Sequence, residues 1–593
     1  MNPPVNIVSD PAITRRRLVF AVLSLITALL MLYLVHQTLA ANTPLVVRIV
    51  LLTLFALTLP WMVVGFWNAI IGLVLCQCFK DPNTLVLPAS MQMSDSAPLT
   101  HSTAILLCIR NESSARLIRN LQVMLDGLVN DRIAAHFHVY VLSDTNDPTI
   151  ATEEQASFAA LRFEWSERIE ITYRCRDNNR GYKAGNIADF CQRWGKDHDF
   201  ALVLDADSFM ASSAMARLVR MMQANPRLGI LQGLVIGLPS SSAFTRLFQY
   251  GMRLGMRSYT MGSAWWQADC GPYWGHNALI RLAPFIAHCD LPTLQSRTGE
   301  AKTILSHDLL EAILMRRAGY EVRIYPSEDA SWEENPPTLT EYIRRDLRWC
   351  EGNLQYVHLL GLKNLQPVNR MQLVLAIAMF FGSPAWISLI LICTIAIGMS
   401  TTPSALVDMG ALATLLLATL VMWYLPKIAG ALDVLLRTPE SKRFGGRWRF
   451  SFSLFLEMLF SLLMTPIAWL NHTLFILGLA FGKKGGWTAQ TRDDHSVSVA
   501  QALVQCWPHT LLGLVLTGLL YFSHPETLVY GLLFFGGLLF SIPLLVLTSQ
   551  PWLGRFMIRH QLVSLPEEIT PPAVLLPLQL STLEVKVARA HNS

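Results

Sequence analysis

Two blocks of long, uncharged apolar runs, one at each end of the 593-residue chain, leave a polar stretch at 98–365 between them. A helix rising 1.5 Å per residue needs about 20 apolar residues to span a hydrocarbon core of about 30 Å. The run at 18–40 meets that length, and residues 49–79 carry no charge at all. Charged residues make up 15% of the chain, against about a quarter in soluble proteins. A chain divided in this way reads as a membrane protein built around a water-soluble domain.

Basic residues mark which side each loop faces. Arg15, Arg16 and Arg17 precede the first run, a pattern shared with secretory signals. That run is too long for a signal core and ends in His36-Gln37-Thr38, without a small-residue cleavage site, so a retained anchor is expected. Residues 1–17 then form a cytoplasmic arm, and 18–79 two crossings that return the chain to the cytoplasm. The polar domain at 98–365 is therefore expected there.

A transmembrane hairpin is expected at 371–425, followed by a basic cytoplasmic loop at 426–449 with Lys427, Arg437, Lys442, Arg443, Arg447 and Arg449. The run at 450–481 contains Glu457, Pro466 and Asn471, and both its flanks are basic. It reads as an interfacial or re-entrant segment, or as two short crossings. Glu457 is either a functional intramembrane carboxylate or a residue at the headgroup level. A cytoplasmic stretch at 482–505, a last hairpin at 508–549 and a cytoplasmic tail at 550–593 complete six to eight crossings.

The net charge of +5 comes with no dense basic stripe interleaved with aromatics, so no nucleic-acid partner is expected. The ten cysteines include no Cys-x-x-Cys pair, which argues against a zinc site or a disulfide framework.

Within 103–363, short β-branched runs alternate with helical stretches, the pattern of an α/β domain with a mostly parallel sheet. Three predicted strands end in Arg110-Asn111-Glu112, Ser143-Asp144 and Asp205-Ala206-Asp207. Ligands of open parallel sheets bind at the carboxyl ends of strands. Asp205 and Asp207, at alternate positions of an extended segment, can face one divalent cation. An Asp-x-Asp pair alone is a weak signal; directly after Leu202-Val203-Leu204 it is a stronger one. Asp308, in Ser306-His307-Asp308 at a helix start, is either an N-cap or a general base. Arg348 offers a fork of donors to phosphate and Trp349 a flat face to a sugar, unless both belong to an ordinary amphipathic helix below the membrane.

The set Asp144, Asp205-x-Asp207, Asp308 and Arg348-Trp349 resembles the processive family-2 glycosyltransferases, which share a GT-A fold with cellulose and hyaluronan synthases. Longer strings narrow the resemblance to the glucans biosynthesis glucosyltransferase H family. They are Lys183-Ala184-Gly185-Asn186, Asp189-Phe190-Cys191, Arg193-Trp194-Gly195, Tyr273-Trp274-Gly275-His276-Asn277-Ala278, Leu305-Ser306-His307-Asp308 and Arg345-Asp346-Leu347-Arg348-Trp349-Cys350. Leu425-Pro426-Lys427, Phe444-Gly445-Gly446, Leu456-Glu457-Met458-Leu459-Phe460-Ser461 and Arg492-Asp493-Asp494 carry it into the membrane part.

The resemblance implies an α/β GT-A-type (Rossmann-like) cytoplasmic domain inserted between membrane helices of the bacterial inner membrane, with both termini cytoplasmic. It implies a UDP-glucose donor, Mg²⁺ or Mn²⁺, a growing β-1,2-glucan chain as acceptor and a periplasmic glucan biosynthesis protein as partner. Asn111, Glu112 and Asp144 would line the nucleotide pocket, with Lys183, Arg345 and Arg348 toward the donor. Asp205 and Asp207 would hold nucleotide and metal, and Asp308 would be the base. Trp274, Gly275, His276, Asn277 and Trp349 would meet the acceptor, although His276 also fits a satisfied core histidine. Residues 485–492, with Trp487 and Arg492, stand where cellulose synthase carries a gating loop; a plain linker is the alternative.

Two departures from the wider class, Arg345 in a Gln position and Ser306-His307 in place of Thr-Glu, are shared with the glucan branch and argue against a cellulose synthase. Residues 174–180 are less basic than that branch leads one to expect. Both terminal arms are short, so regulatory roles of longer arms are not carried over. Rival readings are a cellulose- or hyaluronan-type synthase, a single-addition transferase acting on a lipid carrier, and a non-catalytic membrane sensor or transporter.

Overall fold

A computed structural model describes residues 10–41, 43–295, 301–482 and 491–578. Among the described residues are ten strands: β1 (Thr103–Ile109), β2 (Phe137–Ser143), β3 (Glu170–Cys175), β4 (Phe200–Asp205), β5 (Ser208–Met210), β6 (Leu228–Gly237), β7 (Ala278–Arg281), β8 (Leu294–Gln295), β9 (Ala301–Lys302) and β10 (Glu321–Glu333). Eight form one sheet in the order β3-β2-β1-β4-β7-β6-β10-β5, and β8 pairs with β9 apart from it.

Side chains alternate across the sheet, as the two-residue period of a strand requires. Ile105, Leu107 and Ile109 of β1 join one core with the helices Ser114–Asn130, Pro148–Trp165 and Ser212–Ala224. Ala104 and Leu106 join the other, with Tyr182–Arg193, Leu282–His288 and Asp308–Arg317. Both faces are covered, which is why β4 reads as the continuous apolar run Phe200-Ala201-Leu202-Val203-Leu204.

The sheet is mixed, where a mostly parallel one is expected from the sequence. Strand β7 lies antiparallel between β4 and β6, and β5 is antiparallel to β10. The reversal follows from the long Ala243–Gln267 helix, which intervenes between β6 and β7. β7 then starts level with the carboxyl half of β4, with Ala278 paired to Val203. The loop before β7, residues 274–277, therefore sits beside the end of β4, where Asn277 N donates to Val203 O at 2.7 Å.

Among the described residues, six helices are long and apolar enough to cross a membrane: Pro11–Thr38, Leu45–Cys78, Pro367–Gly398, Met409–Leu436, Arg447–Ala480 and Val499–Ser523. Pro525–Leu539 and Ser541–Thr548, bent by 54° from each other, form up to one more span. Of the stretch 450–481, expected as an interfacial, re-entrant or transmembrane segment or as two short crossings, residues 450–480 fall within one 34-residue helix that accommodates Pro466. This helix touches the domain along much of its length. Tyr250 Oη donates to Phe450 O at 3.2 Å, Glu457 lies against Gly251, and His472 reaches Asp346. Glu457 is paired with Lys427 at 2.5 Å.

The Ala243–Gln267 helix docks on the second apolar helix backbone to backbone. A Cβ on Gly72 would come within 1.8 Å of Ser258 O, and one on Gly262 within 2.0 Å of Asn68 O. Trp266 Nε1 donates to Asn68 Oδ1 at 2.8 Å, and Phe20 stacks on its indole with centroids 4.2 Å apart. Arg17, read from the sequence as a topology signal, also donates to Gln267 O at 2.8 Å and pairs with Asp269 at 2.5 Å. Arg246, 1% exposed, is wrapped by residues 562–568: it donates to Leu562 O and Ser564 Oγ, each at 3.1 Å, and pairs with Glu568.

Candidate active site

The parallel strands end on one rim, and the acidic residues expected there are present. Asp205 closes β4, and its N–H donates to Ser208 Oγ at 3.0 Å. Asp207 follows in the turn into β5, and Glu334 N donates to its carbonyl at 3.1 Å. Because β10 is parallel to β6, its carboxyl end brings Glu333 and Glu334 to the same rim. These two were missed from the sequence because Glu328-Asp329-Ala330-Ser331 before them is not the apolar run that singled out Asp205; only Trp332 directly precedes the paired acids.

Each acid has a basic partner. Lys183 Nζ bonds Asp205 and donates to Gly275 O at 2.7 Å. Burial alone would lower the Lys183 amine, but Asp205 outweighs it and raises it. Arg492 Nη1 lies 2.5 Å from Asp207 Oδ2, and the same guanidinium meets Glu112 at 3.0 Å. Burial works against the Asp207 carboxylate, yet Arg492 holds it below the usual range. Arg116 pairs with Glu334 at 3.3 Å and with Asp493. Trp487 lies outside the described residues.

Asp144, expected in the nucleotide pocket, has both oxygens engaged by Arg176, at 2.8 and 2.6 Å. Arg176 was not singled out in the sequence; its place one residue beyond β3 is what brings it there. Asn111, at φ 52°, caps the neighbouring turn, accepting from Asn146 N at 3.1 Å while its N–H donates to Thr145 Oγ1 at 2.8 Å.

Asp308 opens its helix, with His307 as the N-cap residue. The loop 274–277 faces it: a Cβ on Gly275, at φ 85°, would lie 3.5 Å from Asp308 Cβ. Lys183 thus bridges Asp205 to the loop that abuts Asp308. Trp274 N donates to Gln232 Oε1 at 2.8 Å, and Gln232 Nε2 donates to His276 O at 2.9 Å, so Gln232 shapes the loop from β6. His276 Nε2 lies 3.5 Å from Glu333. Asn277, expected to meet the acceptor, is not brought to that side. Its amide donates to Ser331 Oγ at 2.8 Å and Trp332 O at 3.2 Å, fully buried in the sheet. The side chain directly preceding β7 is claimed by β10, which lies beyond β6 in the sheet.

Arg345, Arg348 and Trp349 share the Leu339–Leu354 helix. The Arg345 guanidinium lies 4.9 Å from the centroid of the Trp349 ring, a contact one turn apart. Trp349 is 48% exposed and so can meet a ligand. Burial, then Arg345 and Arg492, holds Arg348 below its ordinary value: this end of the site is crowded with positive charge, as an anion site would be.

Burial pushes the Glu333 and Glu334 carboxyls up, and Asp207 adds to both shifts. Crowded carboxylates of this kind favour a cation. Among the described residues no group of three or more His, Cys, Asp or Glu is arranged to hold a metal by itself. Asp205 and Asp207 are the pair that could hold a divalent ion together with substrate oxygens.

A family model described as "Glycosyl transferase family 2" matches residues 105–288, and one described as "Glycosyl transferase family group 2" matches 200–426. With the mixed sheet and the acidic rim, they define a GT-A-type glycosyltransferase domain, here set among membrane-length helices. Among curated relatives, proteins named glucans biosynthesis glucosyltransferase H are 34% identical over 546 residues in Pseudomonas paraeruginosa and 35% over 542 in Ralstonia nicotianae. These matches cover 90% and 89% of this chain, and 63% and 62% of the relatives. The relative in Pseudomonas entomophila is 33% identical, covering 94% of this chain and 67% of its own. The chain belongs to the glucans biosynthesis glucosyltransferase H family. It spans slightly under two thirds of the length of the first of these relatives. A solved mannosyltransferase from Pyrobaculum calidifontis, titled as a complex with GDP-Man and Mn²⁺, aligns at a TM-score of 0.39 and 15% identity over 62% of this chain and 99% of its own, too distant to carry an argument.

Proposed function

We propose that the chain is an inner-membrane, processive, inverting glucosyltransferase that builds, and exports, a β-1,2-glucan backbone from UDP-glucose. The observation carrying this reading is the placement of Asp308 against Gly275, whose carbonyl accepts from the same Lys183 that bonds Asp205. A base on the acceptor side and an acidic rim on the donor side thus lie on either side of one lysine.

In this reading Asp308 takes the proton from the acceptor hydroxyl as its oxygen bonds to C1 of glucose. The bond from C1 to the diphosphate oxygen breaks, UDP leaves, and attack from the opposite face gives the β anomer. Lys183, Arg345 and Arg348 would bind the diphosphate, and Trp349 would offer its ring to the terminal acceptor sugar. Asp207, with Asp205, would hold Mg²⁺ or Mn²⁺, which supplies charge neutralisation to the leaving diphosphate. The Arg447–Ala480 helix, which also lies along the domain, and the other apolar helices form the membrane part, with the domain and both ends in the cytoplasm. The acceptor is the growing glucan; a periplasmic glucan biosynthesis protein is the expected partner.

Purified full-length protein given UDP-glucose should release UDP and form a product whose glucose residues are substituted at O2. A product cleaved by a β-1,4-glucanase, or release of UDP only with another nucleotide sugar, would overturn the donor or linkage assignment.

A further inference from the structure

Among the contacts that tie the helix carrying Arg345, Arg348 and Trp349 to the membrane part, one buried side chain reaches two helices at once. His472, in the Arg447–Ala480 helix, places Nε2 2.6 Å from Asp346 Oδ2. Its Nδ1 lies 2.9 Å from Ser383 Oγ in the Pro367–Gly398 helix. Phe380, one turn before Ser383, meets the imidazole edge-on with centroids 5.0 Å apart. His472 and Ser383 are buried, so the ring has both nitrogens engaged and its plane fixed.

We infer that His472 is a positioning residue for the transferase site, acting through Asp346 on Trp349 and Arg345. The inference rests on the transferase reading above. Asp346 and Trp349 are three residues apart and so share one face of their helix. Holding Asp346 therefore sets the rotation of the helix about its axis, and with it the height of the indole and of the guanidinium stacked on it. A hydrogen bond from His472 to a carboxylate is among the stronger ones a side chain makes, more so when the imidazole is charged. Displacing a substrate-binding group by about 1 Å can cost on the order of 100-fold in rate. Within one side chain's reach, the link joins three helices: the domain's arginine–tryptophan helix, the Pro367–Gly398 helix that follows it, and the more distant Arg447–Ala480 helix.

The test uses full-length protein in lipid nanodiscs, measuring kcat and KM for UDP release from UDP-glucose. His472→Leu removes the donor, whereas His472→Gln keeps an amide N–H near the position of Nε2. We expect kcat of His472→Leu to fall about 10-fold or more, with KM for UDP-glucose within about 2-fold, and His472→Gln to recover most of the loss. A His472→Leu enzyme with wild-type kcat, or Leu and Gln variants equally impaired at unchanged thermal stability, would overturn the inference. If His472→Leu fails to fold, Ser383→Ala, which deletes only the far hydroxyl, should lower kcat severalfold at constant KM; an unchanged kcat there overturns it as well. Wild-type protein that releases no UDP sinks the transferase reading and this inference together, whereas active wild type with insensitive variants sinks only the inference.

Discussion

Arg492 and Asp207 meet at 2.5 Å, and the same guanidinium takes Glu112, so one side chain from beyond the domain neutralises two carboxylates on its rim. Arg492→Ala should leave both without their cation. Mn²⁺ should then bind the nucleotide-free full-length protein about 10-fold more tightly, equivalent to about 1.4 kcal/mol at Asp207. Paramagnetic resonance of free Mn²⁺ reads this directly, and unchanged binding would mean that Arg492 and a divalent ion do not compete.

Asp308→Asn keeps the shape of the side chain and removes its basicity. UDP should bind with near wild-type affinity in calorimetry, while turnover of UDP-glucose falls by about 10²–10⁴-fold. Retained turnover would remove Asp308 as the base and leave it the helix-start role.

His307 and Glu311 form a buried pair at 2.9 Å directly behind Asp308. Burial would lower the imidazole value, but Glu311 outweighs it, so His307 titrates above its ordinary 6.5. A raised value stabilises the fold below the unfolded pKa, and that stability is lost as pH rises through the folded one. The melting temperature should therefore decline on the alkaline side of 6.5, and Glu311→Gln should flatten that part of the profile. His307→Leu leaves Glu311 buried and unpaired, at a cost of about 3–5 kcal/mol.

Gly275 sits at φ 85°, a conformation that side chains resist, and abuts Asp308. Gly275→Ala should cost about 1–2 kcal/mol through the backbone alone. Turnover should fall with donor KM little changed, because the loop moves against the base rather than against the nucleotide. Steady-state kinetics distinguish the two.

Much of this was legible in the sequence because it rests on local rules. Uncharged length marks the apolar helices, and a strand ending in acid marks the rim at Asp205. What escaped depends on pairing across the chain. Nothing local in Asn277 says that Ser331 and Trp332 will claim its amide. Nothing near Asp144 says that Arg176 will take both oxygens. The antiparallel placement of β7 follows from where the chain returns after Ala243–Gln267, not from the four residues of the strand.

The meeting of Gly72 with Ser258, and of Gly262 with Asn68, has a consequence for how such a chain can vary. A helix turns about 100° with each residue, so one inserted or deleted residue between Asn68 and Gly72 would swing the glycine off Ser258 while Asn68 still holds Trp266. The apolar residues between those two points are exchangeable for one another in kind. Their number is not: the segment acts as a ruler, tolerant of substitution and intolerant of indels.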